Sequence, residues 1–113
     1  MVTKRVMEVP MTLLCVSAIT TAELHFGVAK RGGAKRLQAA IAEFLLRVDT
    51  LPWDAAAAEQ YGETRATMEE KGRVLAPLDM LIAAHALSAE AVLVTNDRAF
   101  KQVPGLRVID WTK

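Results

Sequence analysis

The sequence predicts an α/β fold with a mostly parallel sheet flanked by helices. Short apolar runs alternate along its 113 residues with longer segments in which apolar residues recur every three or four positions. The first pattern is typical of buried strands, and the second is typical of helices that pack on a sheet. The predicted order is strand, two helices, strand, two helices and two strands. This order favours parallel strands that are joined by helical crossovers.

Residues with strong local preferences set the boundaries of these elements. Thr20 and Glu23 match a capping box, which predicts the start of a helix, and a Gly-Gly pair at 32–33 predicts its end. Asp54 and Pro77 are typical of helix starts. The predicted strands are 13–18, 47–51, 91–95 and 106–109, and the predicted helices are 20–31, 34–46, 54–71 and 78–88.

Composition limits the classes of protein to consider. Hydrophobic residues make up 52% of the chain and charged residues 24%, which predicts one folded domain over residues 1–113. A net charge of +1 argues against a protein that coats nucleic acid, although it leaves room for a local basic patch. No apolar stretch approaches the roughly 20 residues that cross a bilayer. The single cysteine, Cys15, is expected to be a buried thiol in a reducing compartment, which predicts a cytoplasmic protein.

Three acidic residues are expected at one edge of the sheet. Glu23 and Asp79 lie on apolar faces of their predicted helices, and Asp97 follows the strand at 91–95. Ligands of open α/β sheets bind at the carboxyl ends of the strands. Carboxylates gathered there repel one another unless a cation lies between them, and an all-oxygen set suits Mg²⁺ or Mn²⁺. Such an ion activates water on a phosphodiester, which predicts a nuclease or a phosphohydrolase.

Each acid also has a purely structural interpretation. Glu23 would close the capping box, Asp79 would complement the helix macrodipole, and Asp97 would cap the short stretch after its strand. Each of these roles contributes about 1 kcal/mol or less. Both interpretations stay open for each residue taken alone.

A basic cluster surrounds the Gly-Gly pair. Its members are Lys30, Arg31, Lys35 and Arg36. Such a cluster is suited to contact with RNA phosphates, but it is equally typical of a solvated helix end. The sequence alone leaves both interpretations open.

The segments that carry the three acids resemble a known family. A helix start AEL-x-x-G at 22–27, a helix PLDMLIAAHA at 77–86 and a turn TND-x-x-F at 95–100 follow one another in order. With these motifs the chain resembles the VapC-type toxins of the PIN-domain ribonucleases. The resemblance runs from about residue 9 to residue 111 and is greatest to the subgroup that cleaves initiator transfer RNA.

This resemblance implies a PIN-like fold and hydrolysis of RNA, with transfer RNA as the substrate, by metal-activated water. It implies that Glu23, Asp79 and Asp97 are the catalytic acids and the ligands of Mg²⁺ or Mn²⁺, and that Thr95 and Asn96 support them. It further implies the toxin role in a type II toxin–antitoxin system, a cognate antitoxin that covers the acidic site, and a tendency to form homodimers.

The beginning of the chain departs from the family pattern. VapC-type toxins open with a strand that bears an LLDTN-like motif, whose aspartate is another metal ligand, and this sequence contains no such motif. Residues 1–10 resemble the end of the helix that follows that strand. The missing strand would lie between those at 13–18 and 91–95, and both would lose a pairing partner. An N-terminally truncated PIN-like domain is therefore expected, from a start assigned too late or from a fragment.

The truncation leaves an alternative function open. A catalytically impaired relic would bind an antitoxin without cleaving RNA. A third possibility, a small-molecule phosphohydrolase, would need a phosphate-binding loop, and no glycine-rich loop of that kind is present in the sequence.

Overall fold

A computed structural model describes residues 15–110 of the chain. The helix end expected at 1–10, the first two residues of the strand predicted at 13–18 and Trp111 lie outside this range. No helix within it has both the length and the apolarity needed to cross a bilayer. The elements are β1 (Cys15–Ser17), α1 (Ala18–Lys30), α2 (Lys35–Arg47), β2 (Asp49–Leu51), α3 (Ala55–Glu70), α4 (Pro77–Ser88), β3 (Leu93–Val94), a 3₁₀ helix (Arg98–Gln102) and β4 (Val108–Ile109). The predicted order and the α/β fold class are confirmed.

The strands form two parallel pairs. β1 lies beside β2, with Cys15 opposite Asp49, and β3 lies beside β4, with Leu93 opposite Val108. Parallel pairing is what the intervening helices require, because a parallel partner can be reached only by a crossover. Within residues 15–110 each sheet has two strands, so β1 and β3 belong to different sheets. Residues 15–52 and 53–110 lie in two separate compact units.

In the first unit, helix α1 starts earlier than the capping box predicted. The Oγ of Ser17 accepts a hydrogen bond from the N–H of Ile19 at 3.1 Å, which makes Ser17 the N-cap. Thr20 and Glu23 lie inside the helix, so the predicted capping box is wrong. Ser17 ends the strand, and its hydroxyl satisfies a free N–H of the first turn before Thr20 is reached.

The chain turns between α1 and α2 at the two glycines. The N–H of Gly33 donates to the carbonyl of Val28 at 2.9 Å, and the N–H of Gly32 donates to the carbonyl of Ala29 at 3.1 Å. The φ angles of the two glycines are 71° and 72°, in the left-handed region that residues with a Cβ avoid. The helix end predicted at 32–33 is therefore confirmed.

The thiol of Cys15 is exposed, so the predicted buried cysteine is wrong. The other two residues of β1 (Cys15–Ser17), Val16 and Ser17, are only half-buried. In the described part of the chain these residues pair with β2 alone, and they do not reach the burial on both faces that a central strand has.

In the second unit, α4 packs against α3 over an apolar core. Trp53 joins the two helices: its Nε1 donates to the carbonyl of Leu81 at 3.0 Å, and its ring meets Tyr61 edge to face at 6.1 Å. The buried core residues are Met68, Leu75, Met80, Ala83, Phe100 and Val103. This core fixes α4, the helix that carries Asp79.

The predicted starts of α3 and α4 are confirmed. The Oδ1 of Asp54 accepts a hydrogen bond from the N–H of Ala57 at 3.0 Å and caps α3. Pro77 is the first residue of α4. An N–H at this position would have no partner within the helix, so the missing N–H of proline costs no hydrogen bond.

Two residues after the end of helix α4, the chain has a strained backbone. Glu90 has a φ of 55°, and its N–H donates to the carbonyl of Leu87 at 3.1 Å. The N–H of Ala91 donates to the carbonyl of Ala86 at 2.9 Å. Helices usually place glycine at this position, because a Cβ there costs about 1 kcal/mol or more.

Glu90→Gly is expected to raise the free energy of unfolding by about 1 kcal/mol, because glycine adopts a positive φ without that clash. Chemical denaturation of the full chain measures the change. Ala89→Gly is the control, since Ala89 has a φ of −84° and glycine relieves nothing there. A Glu90→Gly chain no more stable than the parent would show that the backbone at Glu90 is not strained.

Candidate active site

Asp79 lies in the first turn of α4 and is half-buried. The next residue, Met80, belongs to the apolar core, and Ala83 on the following turn is fully buried. Burial raises the pKa of the Asp79 carboxyl, and the negative charge of Asp97 raises it further. The first turn of a helix normally favours an ionised acid, so burial and the charge of Asp97 act against the macrodipole at this position.

Asp97 follows β3 and is exposed. Its Oδ1 accepts a hydrogen bond from the N–H of Ala99 at 2.9 Å, which caps the 3₁₀ helix and confirms the predicted structural role. Its own N–H donates to the Oγ1 of Thr95 at 3.1 Å. Asn96, between them, is exposed. Within the described residues, only one of the two carboxylate oxygens of Asp97 is used in the cap.

Asp79 and Asp97 therefore form a pair of like charges. They belong to the same compact unit, and each is close enough for the charge of Asp97 to act on Asp79. Neither acid forms an ion pair with an arginine or lysine of residues 15–110. Two carboxylates in this arrangement repel each other, and a bound cation would convert the repulsion into attraction.

Glu23 lies on α1, in the other compact unit, and is exposed. Phe26, one turn further along the same face of α1, is 66% exposed. The prediction that this apolar face packs on a sheet is therefore wrong for Glu23 and Phe26. The buried residue of α1 is Val28 instead, which directs a different face inward. Since Glu23 closes no capping box, its predicted structural role is gone, and its role as a metal ligand stays a prediction.

The acid pair fits a hard divalent cation. Carboxylate oxygens suit Mg²⁺ and Mn²⁺, and Mg²⁺ is commonly held by one or two carboxylates together with waters and substrate phosphates. Asp79 and Asp97 meet that requirement by their chemistry and by their mutual repulsion. No three Asp, Glu, His or Cys side chains among residues 15–110 are grouped closely enough to hold an ion by themselves. The predicted three-acid set stays a prediction.

Two residues that the sequence analysis missed connect the segments that carry the acids. The Nε2 of Gln102 donates to the carbonyls of Val74 and Ala99, each at 3.1 Å. The guanidinium of Arg73 donates to the carbonyl of Gln102 at 2.6 Å. The bond to Val74 and the bond from Arg73 join the loop before α4 to the 3₁₀ helix that begins after Asp97. We call Arg73 and Gln102 the clasp; no local sequence pattern marks either residue.

A family model and several relatives align with most of this chain. Residues 2–106 match the PIN domain family. A tRNA(fMet)-specific endonuclease VapC from Shigella flexneri is 42% identical over 100 residues, which cover 88% of this chain and 76% of the relative. Ribonuclease VapC2 from Rickettsia felis is 37% identical over 101 residues, which cover 88% of this chain and 75% of the relative.

Solved structures share the fold as well. The structure of VapBC-1 from nontypeable Haemophilus influenzae matches with a TM-score of 0.87 and 33% identity, over 99% of this chain and 85% of that one. VapBC-5 from Mycobacterium tuberculosis, a member of the VapBC family of toxin-antitoxin systems, matches with a TM-score of 0.68 and 29% identity, over 82% and 78% of the two chains. By sequence and by fold, this chain belongs to the PIN domain family and, within it, to the VapC-type proteins.

Proposed function

We propose that this chain is the toxin of a type II toxin–antitoxin system, an endoribonuclease that hydrolyses phosphodiesters of transfer RNA. The observation that carries the proposal is the presence of Asp79 and Asp97 in one compact unit of a chain that matches the PIN domain family over residues 2–106. The names of two relatives, an endonuclease specific for tRNA(fMet) and a ribonuclease, support RNA as the substrate.

Asp79 and Asp97 would hold Mg²⁺ or Mn²⁺, with Glu23 as a further ligand. When bound, such an ion supplies an activated water and neutralises charge on the phosphodiester. The carboxylate of Asp97 is held in one orientation by the N–H of Ala99, which suits it to direct a water toward phosphorus. Thr95 holds the backbone of Asp97 through its hydroxyl, and the adjacent Asn96 offers a further polar side chain.

The proposed partners follow from the family. Similar structures carry the name VapBC, and one is described as a member of a family of toxin-antitoxin systems. A cognate antitoxin that covers the acidic site, a homodimeric toxin and a cytoplasmic location are the corresponding proposals for this chain.

A second candidate function is a catalytically impaired protein that binds an antitoxin without cleaving RNA. The observation that favours it is that residues 15–110 group no three metal-binding side chains. Cleavage measurements separate this function from the first.

The full chain is expected to cleave transfer RNA when Mg²⁺ is present and to stop when the ion is chelated. Asp79→Asn and Asp97→Asn are each expected to lower the rate by about 100-fold or more, because a neutral amide holds the divalent cation far more weakly and the cation supplies several kcal/mol of transition-state stabilisation. Gel electrophoresis of the RNA measures cleavage, and Glu23→Gln is expected to lower the rate in the same assay if Glu23 is a further ligand. Asp54→Asn is the matched control: asparagine caps a helix as well as aspartate does, so activity should persist. A wild-type chain inactive at every Mg²⁺ concentration would favour the antitoxin-binding alternative.

Asp79→Asn is also expected to raise stability at neutral pH in the absence of metal. The native pKa of Asp79 lies above its ordinary value of 3.8, so the ionised form is disfavoured in the fold. The penalty is fully present above the native pKa, and it disappears as the pH falls below 3.8. Denaturation from pH 3 to pH 7 should show a gap between variant and wild type that closes in acid. A gap independent of pH would contradict this origin.

Gln102→Ala is expected to raise the Mg²⁺ concentration needed for half-maximal cleavage by about 10-fold, as for other residues that orient metal ligands. The reason is that the bond from the Gln102 side chain to the carbonyl of Val74 is lost, so that, of the clasp, only the bond from Arg73 to the backbone of residue 102 still joins the segments carrying Asp79 and Asp97. Gln60→Ala is the control, since Gln60 makes a comparable bond to the Oγ1 of Thr64 within α3. If both variants shift the Mg²⁺ requirement equally, the clasp has no special role.

A further inference from the structure

We propose that the turn between α1 and α2 binds the phosphate backbone of the RNA substrate. The residues concerned, called the basic turn, are Lys30, Arg31, Lys35 and Arg36. All four side chains are exposed, and none forms an ion pair with an acid in the part of the chain that the structure describes. The inference rests on the proposed function, because it takes RNA as the substrate.

Charge is segregated along the sequence around this turn. Residues 24–42 contain these four cations and no aspartate or glutamate. The whole chain has a net charge of +1, so the residues outside this segment together carry −3. A basic surface on an otherwise acidic chain is the electrostatic feature expected of a site that attracts a polyanion.

Helix stability does not account for the cations at the start of α2. Lys30, in the last turn of α1, complements the macrodipole of that helix. Lys35 and Arg36 are the first two residues of α2, where positive charge opposes the macrodipole. The first turn of α2 has no acidic residue, and Ala34 supplies no capping bond from its side chain. The positions of Lys35 and Arg36 are therefore unfavourable until an anion lies nearby.

The turn is open to an approaching backbone. Gly32 and Gly33 have no Cβ, and within residues 15–110 no atom beyond their chain neighbours lies within 4 Å of where a Cβ would stand. The N–H groups of these glycines bond to the carbonyls of Val28 and Ala29 in the preceding helix, and both glycines are exposed. A phosphate group can approach such a backbone closely while lysine and arginine side chains reach it from both helices.

The composition of the turn favours a nucleic acid over a protein partner. From residue 29 to residue 36 the sequence is AKRGGAKR, with no apolar side chain larger than alanine. Protein interfaces have an apolar centre and are depleted of lysine, whereas contacts to phosphates are made by long, positively charged side chains. The basic turn offers the second kind of contact.

The test compares two double variants in the full chain, each also carrying Asp79→Asn so that RNA is bound without being cleaved. Lys35→Gln with Arg36→Gln removes half of the basic turn. Lys71→Gln with Lys101→Gln removes two exposed lysines of the other compact unit and serves as the control. Anisotropy of a labelled transfer RNA gives the Kd at several salt concentrations, and thermal unfolding reports the folding of each variant.

The basic-turn variant is expected to bind RNA more weakly than the control and to unfold at the same or a higher temperature. Loss of two phosphate contacts should make the slope of log Kd against log salt shallower by about 1.4. Raising salt from about 50 to about 200 mM should then weaken its binding roughly sevenfold less than it weakens the parent. Weaker binding together with an unharmed fold distinguishes a binding role from a structural one.

Equal Kd values and equal salt slopes for the two variants would overturn the proposal. A basic-turn variant that binds RNA normally but loses affinity for a partner protein would overturn it in favour of a protein contact. Cleavage by the same double variants with Asp79 intact tests the proposed function separately. If the variants still cleave RNA while their two Kd values are equal, the proposed ribonuclease function stands and only the role of the basic turn in RNA binding is rejected.

Discussion

The proposed metal site depends on one interaction, the repulsion between the carboxylates of Asp79 and Asp97. Burial and the neighbouring charge raise the pKa of Asp79, so the native fold maintains an arrangement that disfavours its own ionised form. A surface turn or a helix start does not require such a pair. The α3–α4 core and the bond from Trp53 hold one acid, and the cap of the 3₁₀ helix holds the other. The fold thus keeps two like charges close, at a cost in stability that a cation would relieve.

Local signals in the sequence predicted the order and most boundaries of the elements. The cap at Asp54, the start at Pro77 and the glycine turn at 32–33 act through their immediate neighbours, and all three appear in the structure. The start of α1 was predicted wrongly because the capping-box pattern points to Thr20, whereas Ser17, three residues earlier, caps the helix in the structure. A pattern of residue types does not show which of two nearby hydroxyl residues caps a helix, because the position of the cap depends on where the preceding strand ends.

The candidate site was predictable only in part. The influence of Asp97 on Asp79 agrees with the expectation from the sequence, which placed both acids at the carboxyl ends of the strands. The clasp was not predictable, because Arg73 and Gln102 are 29 residues apart in sequence and meet through backbone carbonyls. Exposure of Cys15 and Phe26 was also missed, since an apolar pattern predicts which side chains can be buried, not what covers them. The metal-binding role of Glu23 and the single domain over residues 1–113 stay predictions.

Calorimetric titration of the full chain with Mn²⁺ at neutral pH tests most directly whether Asp79 and Asp97 form a metal site. Binding is expected in the wild type and in Asp54→Asn, and it is expected to be abolished or greatly weakened in Asp79→Asn and in Asp97→Asn. Asp54→Asn is a control for the effect of Asp79 and Asp97 on binding, because the carboxylate of Asp54 caps α3. Equal Mn²⁺ affinity in all four proteins, or no binding in any of them, would contradict a metal site at these two acids.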